Sequence, residues 1–195
     1  MKSDALLTKR IIAGKYKGKV IKLPSKETTR SSKAIVLESF FNTLQFDIID
    51  SVLVEVFSGS GSIGLEALSR GAKKIIFMEK DRDAIKALRS NIDQTDKNAC
   101  EVYEGDSFTN ITQVVKRLVS LGESAFIYVD PPFSFREGME EIYEKMLHLI
   151  ASLPLNVVQL ITIEHMSTLE LPDSIGEFNR IKSKRFGKTS LTYYA

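Results

Sequence analysis

The sequence is poor in the residues that build disulfide frameworks and metal centres. It has one cysteine, Cys100, and two histidines, His148 and His165, among 195 residues. A lone cysteine excludes an internal disulfide and the paired spacings of zinc sites, and two histidines exclude a multi-histidine centre. We therefore expect no metal, and this cysteine usage fits a reducing compartment.

Long apolar runs are also missing. No stretch reaches the roughly 18 residues that a membrane-spanning helix needs. The first ten residues, MKSDALLTKR, lack the apolar core of a signal peptide. These features predict a cytoplasmic protein with no membrane partner.

Charge is balanced in total but unevenly distributed along the chain. The 27 Lys and Arg against 25 Asp and Glu give a formal net charge of +2. Residues 1–33 carry a net charge of +8 and residues 178–195 carry +5, whereas residues 34–177 carry −11. The near-neutral average therefore hides an acidic body with two basic ends, which is compatible with a polyanionic partner.

Short apolar runs alternate with helical patterns from residue 52 onward. The runs are typical of parallel strands buried on both faces, and the alternation predicts βαβ units. The predicted strands are 52–57, 74–79, 99–106, 125–130 and 157–164, and the predicted helices between them are 62–71, 81–94, 108–121 and 138–153.

The two ends of the chain have different patterns. Residues 10–23, RIIAGKYKGKVIKL, predict a small basic β-hairpin, followed by a polar linker at 24–33 and a helix at 34–46. The last residues, from 178, predict an antiparallel hairpin at the edge of the sheet. We expect an α/β, Rossmann-like domain at 31–195 with a seven-stranded, mostly parallel sheet, preceded by a basic hairpin extension at 1–30.

A glycine-rich turn joins the first predicted core strand to the helix that follows. Gly59, Gly61 and Gly64 form G-x-G-x-x-G, and Glu79 ends the next strand 20 residues after Gly59. Glycine permits a tight turn and a close approach of the backbone to a ligand, and a carboxylate at this spacing can accept hydrogen bonds from ribose hydroxyls. The alternative is a turn without a ligand, with Glu79 as a helix cap.

Two further carboxylates bear on which nucleoside the turn would bind. Glu55 precedes the turn in the form E-x-F-x-G-x-G and would suit a cationic methyl donor, S-adenosylmethionine, while repelling a pyrophosphate. Asp106 follows the third strand, where it could accept a hydrogen bond from an adenine amino group. The alternatives are that Glu55 caps backbone amides of the loop and that Asp106 is the N-cap of the following helix.

The fourth predicted strand ends in Asp130-Pro131-Pro132-Phe133. Two prolines make the turn rigid and remove two amide donors. They leave the Asp130 carboxylate and the Pro131 carbonyl as acceptors at the carboxyl end of the sheet, where open α/β folds bind ligands. These acceptors could hold and aim an exocyclic amino group, and Phe133 could stack on its base. The alternative is a rigid turn with a buried Phe.

These segments resemble the RsmD family of bacterial 16S ribosomal RNA guanine-N2 methyltransferases. RIIAGKYKGKVIKLP resembles the family's opening hairpin, and EVFSGSGSIGLEALSRGA resembles its block D-x-F-A-G-S-G-x-L-G-x-E-A-L-S-R-G-A. FMEKDRDAIKALRSNI resembles its E-x-D…N block, VDPPF matches outright, and RFGKTSLTYY resembles its closing hairpin. The resemblance extends from about residue 9 to the C-terminus.

The resemblance implies methyl transfer from S-adenosylmethionine to the N2 amine of a guanine. It also implies a monomer that acts on 16S rRNA, within a small-subunit particle. The residues expected at the cofactor are Glu55, Phe57, Ser58, Gly59, Ser60, Gly61, Glu79, Lys80, Asp106 and Ser107. The residues expected at the target base are Asp130, Pro131, Pro132 and Phe133.

One stretch departs from the family pattern. The family usually has R-P-T-T-D-R-V-[RK]-E-[AT]-L-F-N before the first core strand, and this chain has RSSKAIVLESFFN at 30–42. Ala34 and Ile35 replace an Asp and an Arg. Two polar groups that could face the cofactor or RNA are therefore missing.

The basic ends are candidates for RNA contacts. Lysines can contact phosphates and an aromatic ring can stack on a base. The residues expected to contact RNA are Arg10, Lys15, Tyr16, Lys17, Lys19, Arg30, Arg185 and Lys188. The alternative is that each cluster is only a solvated face.

Three other functions remain open from the residues alone. An amino-group methyltransferase acting on DNA, protein or a small molecule would share the chemistry, although 195 residues leave little room for a DNA-recognition insertion. A nicotinamide-dependent reductase has no need for D-P-P-F and would be harmed by Glu55. A non-catalytic RNA-binding module is a further alternative.

Overall fold

The computed structural model describes residues 8–24, 34–132 and 141–195. The strands in these ranges are β1 (Thr8–Arg10), β2 (Val20–Lys22), β3 (Val52–Val56), β4 (Lys74–Glu79), β5 (Cys100–Glu104), β6 (Ala125–Val129), β7 (Val158–Met166), β8 (Ser174–Ile175), β9 (Phe178–Phe186) and β10 (Thr189–Tyr194). The α-helices are α1 (Ala34–Leu44), α2 (Ser62–Ser69), α3 (Arg82–Ile92), α4 (Ser107–Leu121) and α5 (Ile142–Ala151).

The main sheet has the strand order β5-β4-β3-β6-β7-β10-β9-β8 within the described ranges. Strands β3 to β7 run parallel to one another. Beyond β7, β10 pairs antiparallel with β7, β9 pairs antiparallel with β10, and β8 pairs antiparallel with β9. The predicted mostly parallel α/β sheet with an antiparallel C-terminal hairpin is confirmed. The sheet has eight strands in the described ranges, and seven were predicted. The additional strand is β8, which has only two residues and therefore no alternation that a sequence pattern could detect.

Both faces of the sheet are covered, which explains why its central strands are apolar along their whole length. All five residues of β3 and all five of β6 are buried. On one face, Val54 and Val129 pack with residues of α4 and α5. On the other face, Leu53 and Phe77 pack with residues of α1, α2 and α3.

The predicted N-terminal hairpin forms as β1 paired antiparallel with β2, with Arg10 opposite Val20. Ile11 and Ile21 are buried in the same hydrophobic cluster as α1 and α2. The hairpin therefore contributes to the core of the α/β domain. The predicted domain boundary between 1–30 and 31–195 lies outside the described residues and stays a prediction.

Helix starts follow from local capping chemistry. The side chain of Asp81 accepts hydrogen bonds from the backbone N–H groups of Asp83 and Ala84 at the start of α3. Gly61, with φ of 77°, is the N-cap of α2. In the part of the chain that the structure describes, no helix has both the length and the apolar character that a bilayer crossing requires.

Candidate active site at the carboxyl edge of the sheet

Three parallel strands end together and bring the candidate site residues to one edge of the sheet. Val56 of β3 lies opposite Met78 of β4 and opposite Val129 of β6. The residues that follow these positions, including Glu79 and Asp130, therefore share the carboxyl edge, where open α/β sheets bind ligands.

The glycine loop has the backbone conformations that the sequence predicts for it. Gly59 and Gly61 have φ values of 53° and 77°, in the left-handed region that favours glycine. A Cβ atom at Gly64 would lie 2.4 Å from Phe77 and 2.5 Å from Ile75. Helix α2 therefore packs directly on β4, and only glycine permits that approach.

Ser58 fastens the loop to the end of β4. Its backbone N–H donates to the Met78 carbonyl at 2.9 Å, and its Oγ accepts from the Met78 N–H at 2.9 Å. The same Oγ donates to the Glu55 carbonyl at 2.7 Å. The buried Ser58 hydroxyl is thus hydrogen-bonded to backbone groups. It is therefore not a free hydroxyl that could contact a cofactor.

Glu79 is oriented by three backbone amides. Its Oε2 accepts from the Gly59 N–H at 2.7 Å, and its Oε1 accepts from the N–H groups of Lys80 and Asp81, both at 2.8 Å. A carboxylate has about four acceptor positions, so this orientation is compatible with a further donor such as a ribose hydroxyl. The contact of Lys80 with this site is through its backbone, and its side chain is exposed.

Glu55 is buried, at 4% exposure, and bonds to the start of α2. Its Oε2 accepts from the Gly64 N–H at 2.8 Å and its Oε1 from the Ile63 N–H at 3.3 Å. A carboxylate satisfies the unpaired amides and the positive end of the helix dipole there. The structure thus has the capping interaction that the sequence left open, while direct contact of Glu55 with a cofactor stays a prediction.

Phe57 begins the loop in a conformation that is rare for a bulky residue, with φ of 63°. Such a conformation costs about 1–3 kcal/mol and tends to occur at functional sites. Its ring packs edge-to-face on Phe108, with centroids 5.4 Å apart. This pair fixes the distance between the glycine loop and the start of α4.

Asp106 is the N-cap of α4, with its Oδ1 accepting from the Thr109 N–H at 3.1 Å. Its exposed carboxylate, together with Phe108, lines an open cleft of about 500 Å³. The cleft is completed from α5 by Lys145, His148 and Leu149. The geometry is therefore compatible with both predicted roles of Asp106, the N-cap of α4 and the acceptor for an adenine amino group. Capping uses one carboxylate oxygen, and the residue also borders the cleft. Ser107, the next residue, is buried at the first position of α4.

Asp130, Pro131 and Pro132 follow β6, the neighbour of β3 in the sheet. Asp130 is half-buried and Pro131 is buried. The strand order therefore places these residues directly beside the strand that leads into the glycine loop. Phe133 lies outside the described residues.

One buried pair at this edge has no role in the sequence-based predictions. The Tyr128 hydroxyl donates to Glu164 Oε2 at 2.5 Å, and both side chains are buried. Glu164 follows Ile163, which lies opposite Val129, so the pair is next to the position of Asp130. The available signal was a carboxylate within a strand whose neighbouring residues at 160, 161 and 163 are aliphatic.

The N-terminal basic residues lie along α2 and α3, and the hairpin turn is at the C-terminal end of α2. Lys15 N–H donates to the Ser69 carbonyl at 2.7 Å. The ammonium groups of Lys15 and Lys19 lie 5.2 and 5.3 Å from the centre of the Tyr16 ring. Two cations therefore lie close to the Tyr16 ring, and stacking of this ring on RNA stays a prediction.

Other predicted RNA contacts in this region are exposed or undescribed. Lys17 is exposed, and Arg10 is exposed with its Nη1 donating to the Gly18 carbonyl at 2.9 Å. Arg30 lies outside the described residues. Ala34 and Ile35, at the departure from the family pattern, lie in the first turn of α1, where Ile35 is 57% exposed.

The C-terminal basic hairpin turns at the same edge as Asp130. Thr189 of β10 lies opposite Met166, at the carboxyl end of β7. The turn between β9 and β10 carries Lys188, whose carbonyl accepts from the Ser167 N–H at 2.9 Å. Arg185 is exposed nearby on β9. Lys188 and Arg185 therefore lie at the same edge of the sheet as Asp130.

Comparison with known proteins identifies the family. The profile of the family described as "Conserved hypothetical protein 95" matches residues 9–195. A Bacillus subtilis (strain 168) protein named "Putative rRNA methyltransferase YlbH" is 31% identical over 190 residues, 95% of this chain and 97% of that protein. "Ribosomal RNA small subunit methyltransferase D" of Haemophilus influenzae is 35% identical over 133 residues, 68% of each chain.

A solved structure extends the comparison to three dimensions. The structure described as "Putative methyltransferase yhhF from Escherichia coli" has a TM-score of 0.76 and 27% identity, covering 96% of this chain and 97% of that one. The family profile alone extends over both basic hairpins and the α/β body, from residue 9 to residue 195. The chain therefore belongs to the "Conserved hypothetical protein 95" family and is an RsmD-family methyltransferase.

Proposed function

We propose that the protein transfers a methyl group from S-adenosylmethionine to the N2 amine of a guanine in 16S ribosomal RNA. The observation that carries the proposal is the position of Asp130 and Pro131. They follow β6, which is hydrogen-bonded to β3, and β3 leads into the glycine loop. A methyl donor in that loop and an amine held by Asp130 would therefore lie at adjacent strand ends.

The residues at the carboxyl edge fit an adenosyl cofactor. The glycine loop lets the backbone approach a ligand, and the Glu79 carboxylate is fixed in an orientation that can accept from ribose hydroxyls. Asp106, at the end of the neighbouring strand β5, has an exposed carboxylate that could accept from an adenine amino group. When bound, S-adenosylmethionine would supply an electrophilic methyl group on a positively charged sulfur.

Positioning of the amine is the contribution expected from Asp130 and Pro131. Both are acceptors, so they can take the two hydrogens of an exocyclic amine and aim its lone pair at the methyl carbon. As the new nitrogen–carbon bond forms, the bond from the methyl carbon to the donor sulfur would break, and S-adenosylhomocysteine would leave as the neutral product. The methylated amine would then be cationic and must lose a proton. The Asp130 carboxylate can accept this proton or stabilise the developing charge.

Ribosomal RNA as the substrate is supported by the relatives and by charge. Two of the relatives described above carry names that refer to rRNA methylation. Arg185 and Lys188 of the β9–β10 hairpin are exposed at the same edge as Asp130, where they could contact phosphates. The guanine N2 target and the particle context are inferred from the family resemblance.

The proposal can be tested with labelled S-adenosylmethionine and small-subunit particles that lack the modification. We expect wild-type protein to label 16S rRNA, with N2-methylguanine as the product nucleoside. Asp130→Ala should reduce transfer by at least about 100-fold, because one aligned acceptor and a proton acceptor are lost, while S-adenosylhomocysteine still binds in calorimetry.

A matched variant controls for loss of a carboxylate as such. Asp47 is exposed in the connection before β3, at the opposite edge of the sheet, and Asp47→Ala should retain wild-type transfer. Labelling of free DNA or of a ribosomal protein instead of rRNA would support another amino-group substrate and overturn this one. Tight binding of NAD without binding of S-adenosylhomocysteine would overturn the methyltransferase mechanism altogether.

A further inference from the structure

Asn91 connects two parts of the molecule that the sequence separates widely. It lies near the end of α3 and is 1% exposed. Its Oδ1 accepts from the Lys22 N–H at 2.9 Å, and its Nδ2 donates to the Lys22 carbonyl at 2.9 Å. The same Nδ2 donates to the Ser60 carbonyl at 3.0 Å. One side-chain amide therefore bonds both the N-terminal hairpin and the glycine loop.

This arrangement uses both N–H donors of the Asn91 amide. The amide is planar, so the directions of its three hydrogen bonds are fixed relative to one another. A change in the direction of the Ser60 carbonyl must therefore either break one bond or move the amide. Moving the amide disturbs its two bonds to Lys22 as well.

The peptide that Asn91 contacts is a central one in the glycine loop. The Ser60 carbonyl belongs to the peptide that joins Ser60 to Gly61, and the N–H of this peptide donates to the Ser58 carbonyl at 2.8 Å. The peptide plane is thus held from both sides, by Asn91 and by the loop itself. Asn91 therefore helps to set the loop conformation that a cofactor would meet.

The hairpin has other attachments that do not involve the loop. Glu66, 1% exposed, accepts from the N–H groups of Ile12 at 2.7 Å and Ala13 at 3.1 Å. Ser69 Oγ donates to the Ala13 carbonyl at 2.5 Å and accepts from the Tyr16 N–H at 2.9 Å. Among the described residues, Ser69 Oγ bonds to the hairpin and not to the glycine loop, so it offers a matched comparison.

We propose that Asn91 is a positioning residue that couples cofactor binding in the glycine loop to the conformation of the basic hairpin. The inference rests on the proposed function, because it takes the adenosyl cofactor as the ligand of the loop. A ligand that restricts the Ser60 peptide also restricts the Asn91 amide, and with it Lys22. Bound cofactor would thereby raise the affinity of the hairpin for RNA. By linkage, bound RNA would raise the affinity of the loop for the cofactor by the same factor.

The Lys22 amide reports this coupling directly, because its N–H donates to Asn91 Oδ1. The experiment measures amide hydrogen exchange of the full-length protein, free and with saturating S-adenosylhomocysteine. In wild-type protein we expect the ligand to slow exchange at Lys22 by about tenfold, within the usual range of coupling factors. In Asn91→Ala the ligand should leave the Lys22 exchange rate unchanged.

Ser69→Ala separates coupling from general loosening of the hairpin. It removes two hairpin hydrogen bonds but leaves the Asn91 amide in place. We expect faster exchange of the hairpin in this variant, with the slowing of Lys22 by the ligand retained. Loss of that slowing in Ser69→Ala would overturn the specific assignment to Asn91.

The measurement on wild-type protein tests the coupling even if Asn91→Ala is poorly folded. Binding of S-adenosylhomocysteine in calorimetry without any change in Lys22 exchange would overturn the coupling and leave the proposed function intact. Absence of S-adenosylhomocysteine binding to wild-type protein would overturn the proposed cofactor, and the coupling with it. Slowing at Lys22 that depends on Asn91 would support the proposal.

Discussion

The carboxylate of Glu79 closes onto the glycine loop through a 2.7 Å hydrogen bond from the Gly59 backbone N–H to Oε2. Glu79 ends β4 and Gly59 follows β3, and these neighbouring strands are paired in parallel. The bond therefore joins two strand ends at the edge of the sheet where the cofactor is expected. It also means that the carboxylate shapes the loop before any ligand arrives.

Glu79→Gln tests this dual role. The amide keeps one oxygen but cannot accept from three backbone N–H groups, so a loop amide or a ribose hydroxyl loses its partner. Hydrogen bonds to charged groups contribute about 1.5–3 kcal/mol, so we expect S-adenosylhomocysteine affinity in calorimetry to fall by roughly 10- to 100-fold.

The control for Glu79→Gln is Glu104→Gln. Glu104 lies opposite Glu79 on the edge strand β5 and forms an exposed ion pair with Arg89. Exposed ion pairs contribute little, so this variant should bind S-adenosylhomocysteine with wild-type affinity. Equal losses of affinity in the two variants would argue that only local charge matters, and not the contact with Gly59.

Two glycines of the N-terminal hairpin form a matched pair for testing how the hairpin is seated. Gly14 and Gly18 have φ values of 81° and 85°, so alanine pays a similar conformational penalty at either position. A Cβ at Gly14 would lie 1.8 Å from the Ser69 carbonyl oxygen, whereas a Cβ at Gly18 would meet nothing within 4 Å.

We therefore expect Gly14→Ala to lower the free energy of unfolding by about 1–3 kcal/mol more than Gly18→Ala, as for other overpacked sites. Urea unfolding followed by circular dichroism measures the difference. Equal destabilisation by the two substitutions would show that the hairpin can move away from α2 without loss, against the docking described above.

We expect the buried His165 to make the stability of the protein depend on pH. Its Nδ1 lies 2.9 Å from the Met166 carbonyl and its Nε2 lies 2.8 Å from Thr192 Oγ1. Burial lowers the pKa of His165 below its ordinary value, and the hydrogen bond to Met166 only partly opposes this. The unfolded chain therefore takes up a proton on this residue more readily than the folded chain does.

Since the unfolded state binds more protons below about pH 6.5, the contribution of His165 is fully present above that pH and decreases as the pH falls. The slope for one group is at most about 1.4 kcal/mol per pH unit. We expect His165→Gln to flatten the decline in unfolding free energy between about pH 7 and 5. Coincident pH profiles of the wild-type and His165→Gln proteins would contradict the prediction.

The strands and the glycine loop were predictable because their signals are local. The run at 74–79 coincides with Lys74–Glu79, and the glycine spacing gives the turn and the packing of Gly64 on Phe77. Burial on both faces requires apolar residues throughout a strand, and a tight turn requires glycine. Each of these requirements can be read from a few consecutive residues.

The contacts that join separate segments could not be read in this way. Asn91 bonds to Lys22 and Ser60, and Glu66 bonds to the backbone of Ile12 and Ala13. Their partners are backbone groups, which every residue has, so no residue type in the partner segment marks the pairing. The sequence resemblance included Asn91 and Glu66 in its matching blocks but assigned neither of them a role.

Lys17 offers the cleanest test of the basic hairpin as an RNA contact. Reversal of Lys15 or Lys19 would also remove a cation from the Tyr16 ring, and the Lys19 ammonium bonds to the Gln94 carbonyl. Lys17 is exposed, so its reversal should change the charge with little effect on the fold. If Lys17 contacts a phosphate, Lys17→Glu should lower the slope of log affinity against log salt for 16S rRNA by about 1.

Lys116→Glu is the matched control, because Lys116 is exposed on α4, and α4 packs on the sheet face opposite the hairpin. Filter binding of 16S rRNA over a series of salt concentrations should show a loss for Lys17→Glu that exceeds the loss for Lys116→Glu. Both variants should bind S-adenosylhomocysteine with wild-type affinity, since neither side chain is part of the loop. Equal losses at the two positions would mean that RNA senses only the net charge of the protein, and the hairpin would then be a solvated face.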